Sequence, residues 1–330
     1  MKRTYTAATW TVAALLSVGC GGAKKEPKVE EPPPPIDENL LDLVPYETDL
    51  VLWVDFAKLR SAPVWGLVDK VLKGGALQLP EEEAINPALS CDEAVLAFMD
   101  SEQFGNQLLI ITKGNEISQT QAADAVRAKE GAIQENAEGF NGIRTKQVLL
   151  LSLTPQTLMF GNDTVVRMGA KAGLKKGRSL RENPDFAAFK TGGDVAARMY
   201  YRAGLNTQNV QQFKKVVPRI NADAISVIEG TLNADEGVHI LANIDMQTQM
   251  DASVFAQEAG RTLDQLKGNM IVLFLGLDWL RDKIVLTSDK SRVTVDIRLD
   301  ARDVENLNQL AERLKKIQEL LGGMDDAQQP

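Results

Sequence analysis

A chain of 330 residues, 44% hydrophobic and 25% charged, can bury most of the surface its unfolded form exposes, as one large domain or two medium ones. Its formal net charge of −8 opposes phosphate backbones and anionic headgroups over the surface as a whole, so nucleic acid is excluded as a partner unless a local basic patch overrides the balance. Two cysteines and one histidine leave no disulfide framework and no zinc motif, so the fold must rest on its core.

Residues 1–19 read as a secretion signal: Lys2 and Arg3 are followed by a mildly apolar stretch from Ala7 to Val18, closing on Leu16-Ser17-Val18-Gly19 before Cys20. The apolar run is shorter than the ~20 residues of a spanning helix. Its ending resembles the signal of bacterial lipoproteins, in which a small residue precedes a cysteine that is acylated after export and becomes the new N-terminus. Ser17 holds the place usually taken by Leu, and Leu16 sits one position earlier. The resemblance implies palmitate-type acyl chains on Cys20, the membrane as a partner through those chains, and residence in the cell envelope. Gly21 follows the cysteine where, in well-studied lipoproteins, Asp marks inner-membrane retention, which implies the outer membrane. An ordinary cleaved signal with an incidental Cys20 is the competing reading.

Residues 20–39 are dominated by Gly, Lys, Glu and Pro, with Pro32 to Pro35 in a row, and cannot bury apolar area or continue a helix. They predict an extended tether, reaching roughly 40 to 60 Å at ~3.1 Å per residue. The folded part is expected from Leu40.

Leu50-Val51-Leu52-Trp53-Val54 is a continuous apolar run, the pattern of a strand buried on both faces. A helix is expected from Ala62 to Leu72, with Pro63 in its first turn and Gly74-Gly75 beyond. Four strand-strand-helix units then follow. The first pairs Ala94–Met99 with Gln107–Thr112 and starts its helix at Ser118, where Gln121 completes a Ser-x-x-Gln capping box. The second pairs Lys146–Leu153 with Thr157–Phe160, followed by a helix over Asp163–Gly173. The third pairs Ala224–Leu232 with Val238–Asp245 and adds a helix from near Asp251 to Leu266. In the fourth, Lys283–Thr287 turns into Val293–Leu299, whose strict alternation marks a sheet wet on one side. Its helix carries Val304, Leu307, Leu310, Leu314, Ile317 and Leu321 at three-and-four spacing.

Val195–Arg202 and a helix over Thr207–Val217 open a second series much as Leu50 and its helix open the first. The element order therefore predicts an α+β fold in two tandem halves, 40–190 and 191–323, with antiparallel sheets covered by helices and a disordered tail at 324–330. The join falls near Lys190–Gly193. Around it, Ser179-Leu180-Arg181-Glu182-Asn183-Pro184-Asp185-Phe186, then Tyr200-Tyr201, resembles a linker in a family of uncharacterised bacterial envelope proteins built from strand-strand-helix repeats. Arg202 stands where the acid of Asp55 has its counterpart. That resemblance lends no chemistry.

Residues able to carry chemistry are few. His239 lies on the polar side of a predicted strand and reads as a surface residue. Glu81-Glu82-Glu83 are adjacent and do not converge, and Cys91 precedes Asp92, which raises rather than lowers a thiol pKa. Lys175, Lys176 and Arg178 form the densest basic cluster, a candidate contact for an anionic envelope polymer or headgroup; the spacing of a phosphate-binding loop fails. Met270–Leu277, with Trp279 behind it, is the most apolar stretch after the leader. It is either core between the halves or an exposed wall at Phe274 and Trp279 for a lipid-like ligand. No catalytic, metal or cofactor residues are assigned. The sequence thus points to a lipid-anchored, non-catalytic envelope protein presenting a binding or assembly module to a protein or lipid partner. A carrier or chaperone for hydrophobic molecules is the alternative, and an unrecognised enzyme comes third.

Overall fold

The apolar run after Asp49 becomes the strand on which both directions of one sheet are built. The computed structural model describes residues 36, 39–73, 91–101, 105–128, 131–146, 148–202, 222–267 and 276–310. Strand β1 (Leu50–Asp55) pairs antiparallel with β2 (Glu93–Ser101) on one side and with β8 (Ala197–Arg202) on the other. Outward from β2 lie β3 (Gly105–Lys113), β7 (Thr157–Gly161), β6 (Leu149–Thr154), β5 (Phe140–Arg144) and the edge strand β4 (Ile133–Ala137). Outward from β8 lie β9 (Ile225–Asn233), β10 (Gly237–Met246), β12 (Arg292–Asp300) and the other edge, β11 (Ile284–Asp289). The chain is thus mixed α and β, and the several antiparallel sheets expected from the sequence are, among the described residues, one continuous sheet of twelve strands.

Six α-helices are described: α1 (Phe56–Ser61), α2 (Trp65–Lys73), α3 (Glu116–Arg127), α4 (Asp163–Gly173), α5 (Gln249–Lys267) and α6 (301–310). The single helix expected over Ala62–Leu72 is two. Asp55 caps α1 by accepting the Lys58 N–H at 2.8 Å. Ala62, with ψ 150°, ends α1 because the residue before a proline is driven out of helical geometry, here by Pro63. The capping box at Ser118 is not used either. Asn115, an equally strong cap, accepts the Ser118 N–H at 2.9 Å, so α3 starts two residues earlier at Glu116.

The hairpin β4–β5 was not expected. Its turn residues Glu138 and Gly139 both have positive φ, 54° and 92°, the signature of a two-residue I′ turn. An edge strand reading Ile-Gln-Glu-Asn-Ala, with Ile133 exposed, lacks the alternation that reveals a half-buried strand. Several expected features lie outside the described residues: the leader and Cys20, Glu81–Glu83, the helix over 207–217, Met270–Leu275 with Phe274, and everything after 310.

The two flanks of the sheet are layered differently. On the β1–β7 flank both faces are apolar. One carries Val51, Trp53, Val95, Ile111, Leu151 and Met159, all at most 1% exposed, beneath α4 and the segment Leu40–Val44. The other carries Val54, Leu96, Ile110, Leu150 and Phe160 beneath α1, α3 and Val304 of α6. Each such side chain contributes on the order of 1.5–3 kcal/mol by leaving water. On the β8–β12 flank only one face is apolar: Ile228, Ile244, Val293 and Val295 lie beneath Ala252 and Phe255 of α5. Its other face is polar.

Candidate functional site

Register fixes which side chains share that polar face. Val51 pairs with Tyr200, Tyr200 with Glu229, Glu229 with Asn243, and Asn243 with Thr294. Directly opposed residues in an antiparallel sheet project to the same side. The face of Val51 that is sealed on one flank therefore continues across β9–β12 mostly as hydroxyl, amide and charged groups, with Leu241 and the exposed Val285 among them. Among the described residues, no apolar cluster extends over it beyond Tyr200 and Val227.

The polar side chains are knitted across strands and, for Arg298 and Asp296, along β12. Arg292 grips Asp245 with two bonds of 2.6 and 2.8 Å, Thr294 donates to Asn243 at 3.0 Å, and Arg298 grips Asp296 at 3.0 and 2.8 Å. His239 joins them, its Nε2 3.0 Å from the Asp296 carboxylate. The Arg298 hydrogen bonds hold the Asp296 carboxyl below its ordinary range, with the nearby histidine adding to the effect. Such partly exposed pairs stabilise weakly, but they fix the side chains as a planar, pre-ordered lattice. A cavity of about 920 Å³ opens at one end of this flank, among Asp235, His239, Lys283, Asp296, Arg298 and Asp300.

The junction with the sealed flank is an ion-pair clasp that sequence reasoning missed. Arg202 bonds Asp49 and Asp185, each at 3.0 Å, tying the start of β1 to the connection before β8. Burial works against its charge, but the two carboxylates outweigh that and raise its pKa above the ordinary value. The sequence flagged Arg202 only as a departure from an acid. The same junction sets Phe186 against Tyr200, with ring centroids 4.5 Å apart and planes tilted by 48°. Also unforeseen is the four-membered cluster in which Arg144 and Arg167 each bond both Glu135 and Asp163, at 2.6–2.9 Å. Arg167 and Asp163 are a helical i,i+4 pair, but the other bonded positions are 9 to 32 residues apart in sequence.

The basic cluster is brought together. Lys175, Lys176 and Arg178 line a cleft of about 590 Å³ at the C-terminal end of α4, with Asp42, Arg181 and Glu182. Arg178 lies flat over the Tyr46 ring, its guanidinium carbon 3.5 Å from the ring centroid. This cleft and the open face belong to different flanks. Trp279 is half-buried in the 3₁₀ turn Asp278–Lys283, while Phe274, its expected companion, lies outside the described residues. Cys91 is 2% exposed, and burial pushes its thiol up to about 12, with Asp92 and Glu93 adding and Arg60 opposing. Among the described residues, no three His, Cys, Asp or Glu side chains stand together as a metal would need, and no helix is long and apolar enough to cross a membrane.

No family model and no curated protein matches the chain. Solved structures do. One described as "Structure of crystal form I of TP0453" aligns with a TM-score of 0.50 over 83% of this chain and 98% of that chain, at 12% identity. Crystal form III of the same protein gives 0.48 over 83% and 99%, at 10% identity. At that identity the likeness to crystal form I is one of fold.

Proposed function

We propose that the chain is a lipid-anchored, non-catalytic protein of the outer membrane, held by acylated Cys20 through the 20–39 tether, whose body presents a binding or assembly module. The observation that supports this reading best is the polar face of β8–β12, where Glu229, Asn243, Asp245, Thr294 and Asp296 stand in register on rigid strands. A face of this kind offers paired charges and hydrogen-bonding groups to a protein or polar envelope partner without requiring a cleft. The leader and the proline-rich tether support the address.

We also read the body as two tandem halves, 40–190 and 191–323. Outward from the centre, β1-β2-β3-β7-β6 is mirrored by β8-β9-β10-β12-β11, with α3 and α5 in corresponding places after the third strand of each series. The β4–β5 hairpin is then an insertion in the first half.

Mass spectrometry of the native protein extracted from membranes tests the address. A chain beginning at acylated Cys20 is the expected result, and an unmodified Cys20 contradicts it. A second reading, a carrier for a lipid-like ligand, is favoured by one observation: on the apolar face of the β8–β12 flank, Ile240, Ala242, Val295 and Ile297 are only partly buried, unlike Leu96 and Ile110 in the other flank. Lipid retained in the same native spectrum would favour that reading.

A further inference from the structure

We infer that the cleft at the end of α4 binds the phosphate of an anionic phospholipid headgroup, docking the body on the membrane that holds its tether; the inference rests on the anchored reading above. Lys175, Lys176 and Arg178 line the cleft as exposed cations, and among the described residues none of the three has an ion-pair partner. The two carboxylates beside them are already engaged. Asp42 is held by Arg181 at 2.9 Å, and Glu182 accepts the Ser179 N–H at 3.0 Å. Four cations thus face two occupied acids, a local reversal of the chain's net charge of −8.

The loop that carries these cations is pinned. Lys176 and Gly177 both donate their N–H to the Lys171 carbonyl, at 2.8 and 3.1 Å, and Lys175 donates to Ala172 at 2.9 Å. On the other side, Tyr46 N–H donates to the Arg178 carbonyl at 3.3 Å, and Leu180 N–H to Val44 at 2.8 Å. The backbone donors of Lys175, Lys176, Gly177 and Ser179 are therefore spent inside the protein, and an anion is held chiefly by side chains. Arg178, already flattened on Tyr46, offers a fixed guanidinium plane suited to phosphate, and the lysines add point charges.

Two features choose a membrane over a free phosphate. The cleft sits at the carbonyl end of α4, where the helix dipole disfavours a lone anion, and the acidic body repels one from a distance. A weak site of this kind becomes effective only when its ligand is concentrated beside it. The fold arranges that. Gly173, which lines the cleft, lies so close to Ile36 that an added Cβ would stand 3.5 Å from the Ile36 side chain. The segment leading back to Cys20 therefore joins the body next to the cleft. Extended at ~3.1 Å per residue, residues 20–36 keep the cleft within about 50 Å of the acyl anchor, where the effective headgroup concentration is high.

The test uses the full chain carrying Cys20→Ala, which removes the acyl anchor, with vesicles of phosphatidylcholine alone or mixed with phosphatidylglycerol. Co-sedimentation is expected with the mixed vesicles only, and to fade as salt is raised. Lys175→Glu, Lys176→Glu and Arg178→Glu together should weaken it at least about fiftyfold, given what each basic residue adds near an anionic surface. A control with Lys146→Glu, Lys290→Glu and Arg302→Glu should bind as the parent does. Equal binding to both vesicles, equal loss in the control, or no loss in the triple variant overturns the proposal. Glycerol 3-phosphate competing at a concentration no higher than that of the vesicle phosphate overturns the lipid source in favour of a soluble phosphate. If the native spectrum shows unmodified Cys20 while the triple variant still loses vesicle binding, the anchored reading fails and the headgroup site stands.

Discussion

Trp53, Ile111 and Leu151 on one flank of the sheet, and Thr231, Asn243 and Thr294 on the other, project to the same side of one hydrogen-bonded scaffold. The first three are at most 1% exposed beneath α4 and Leu40–Val44; the second three are half-buried and polar. Backbone pairing is alike in the two flanks. The side chains on one face decide whether a second layer of helix is recruited. Apolar residues on that face require a cover, and the β1–β7 flank obtains it from α4 and the start of the folded chain. Alternation on β12 removes the requirement, and among the described residues no second layer of helix lies on that face.

The widest separation is expected in stability. Trp53→Ala should cost about 3–5 kcal/mol by opening a cavity under α4, whereas Thr231→Ala, its counterpart across β8, should change stability by less than about 1 kcal/mol. Urea unfolding of both variants measures this, and equal losses would erase the contrast. Glycines give a smaller version. A Cβ at Gly142 would stand 2.6 Å from the Leu151 side chain and 2.9 Å from the Leu150 carbonyl, while one at Gly230 meets nothing closer than 3.6 Å. Gly142→Ala should therefore lose about 1–3 kcal/mol, and Gly230→Ala should stay within about 0.5 kcal/mol of the parent.

Acid titration sharpens the comparison further. Hydrogen bonding from Arg144 holds the Glu135 carboxyl below its ordinary 4.5. A depressed folded value means that stability is fully present above pH 4.5 and is lost as pH falls through the folded value. Glu135→Gln should flatten that acid limb, by no more than about 1 kcal/mol given solvent screening, and thermal melts between pH 5 and roughly pH 2.5 would show it. The smallest change is expected on the open face itself: Arg298→Ala, at a side chain 72% exposed, should leave the urea midpoint unmoved. That neutrality makes it a clean probe of partner binding.

Much of this layering was legible in the residues. Leu50–Val54 announces a strand buried on both sides, and the alternation Val293, Val295, Ile297, Leu299 against Thr294, Asp296, Arg298 announces the one-sided flank. What escaped has physical causes. The merging of separate sheets into one depends on β1 and β8 pairing across about 150 residues, a contact that local pattern does not encode. The β4–β5 hairpin escaped because an edge strand need not alternate. The clasp of Arg202 on Asp49 and Asp185 escaped because each residue alone is an ordinary surface charge. The basic cluster at Lys175, Lys176 and Arg178 was visible as composition, but its cleft was not, since Asp42 and Tyr46 reach it from more than a hundred residues earlier.

On the proposed reading, the polar face of β8–β12 is open in the purified protein and covered in the cell envelope. Thiol labelling of a Thr294→Cys variant tests it most directly, because Cys91 is buried with its thiol pushed up to about 12 and supplies a silent internal reference. Rapid labelling at position 294 is expected in purified protein and strong protection in intact envelopes, with Cys91 unreactive in both. Equal labelling at 294 in the two settings, or protection already in the purified protein, would contradict it.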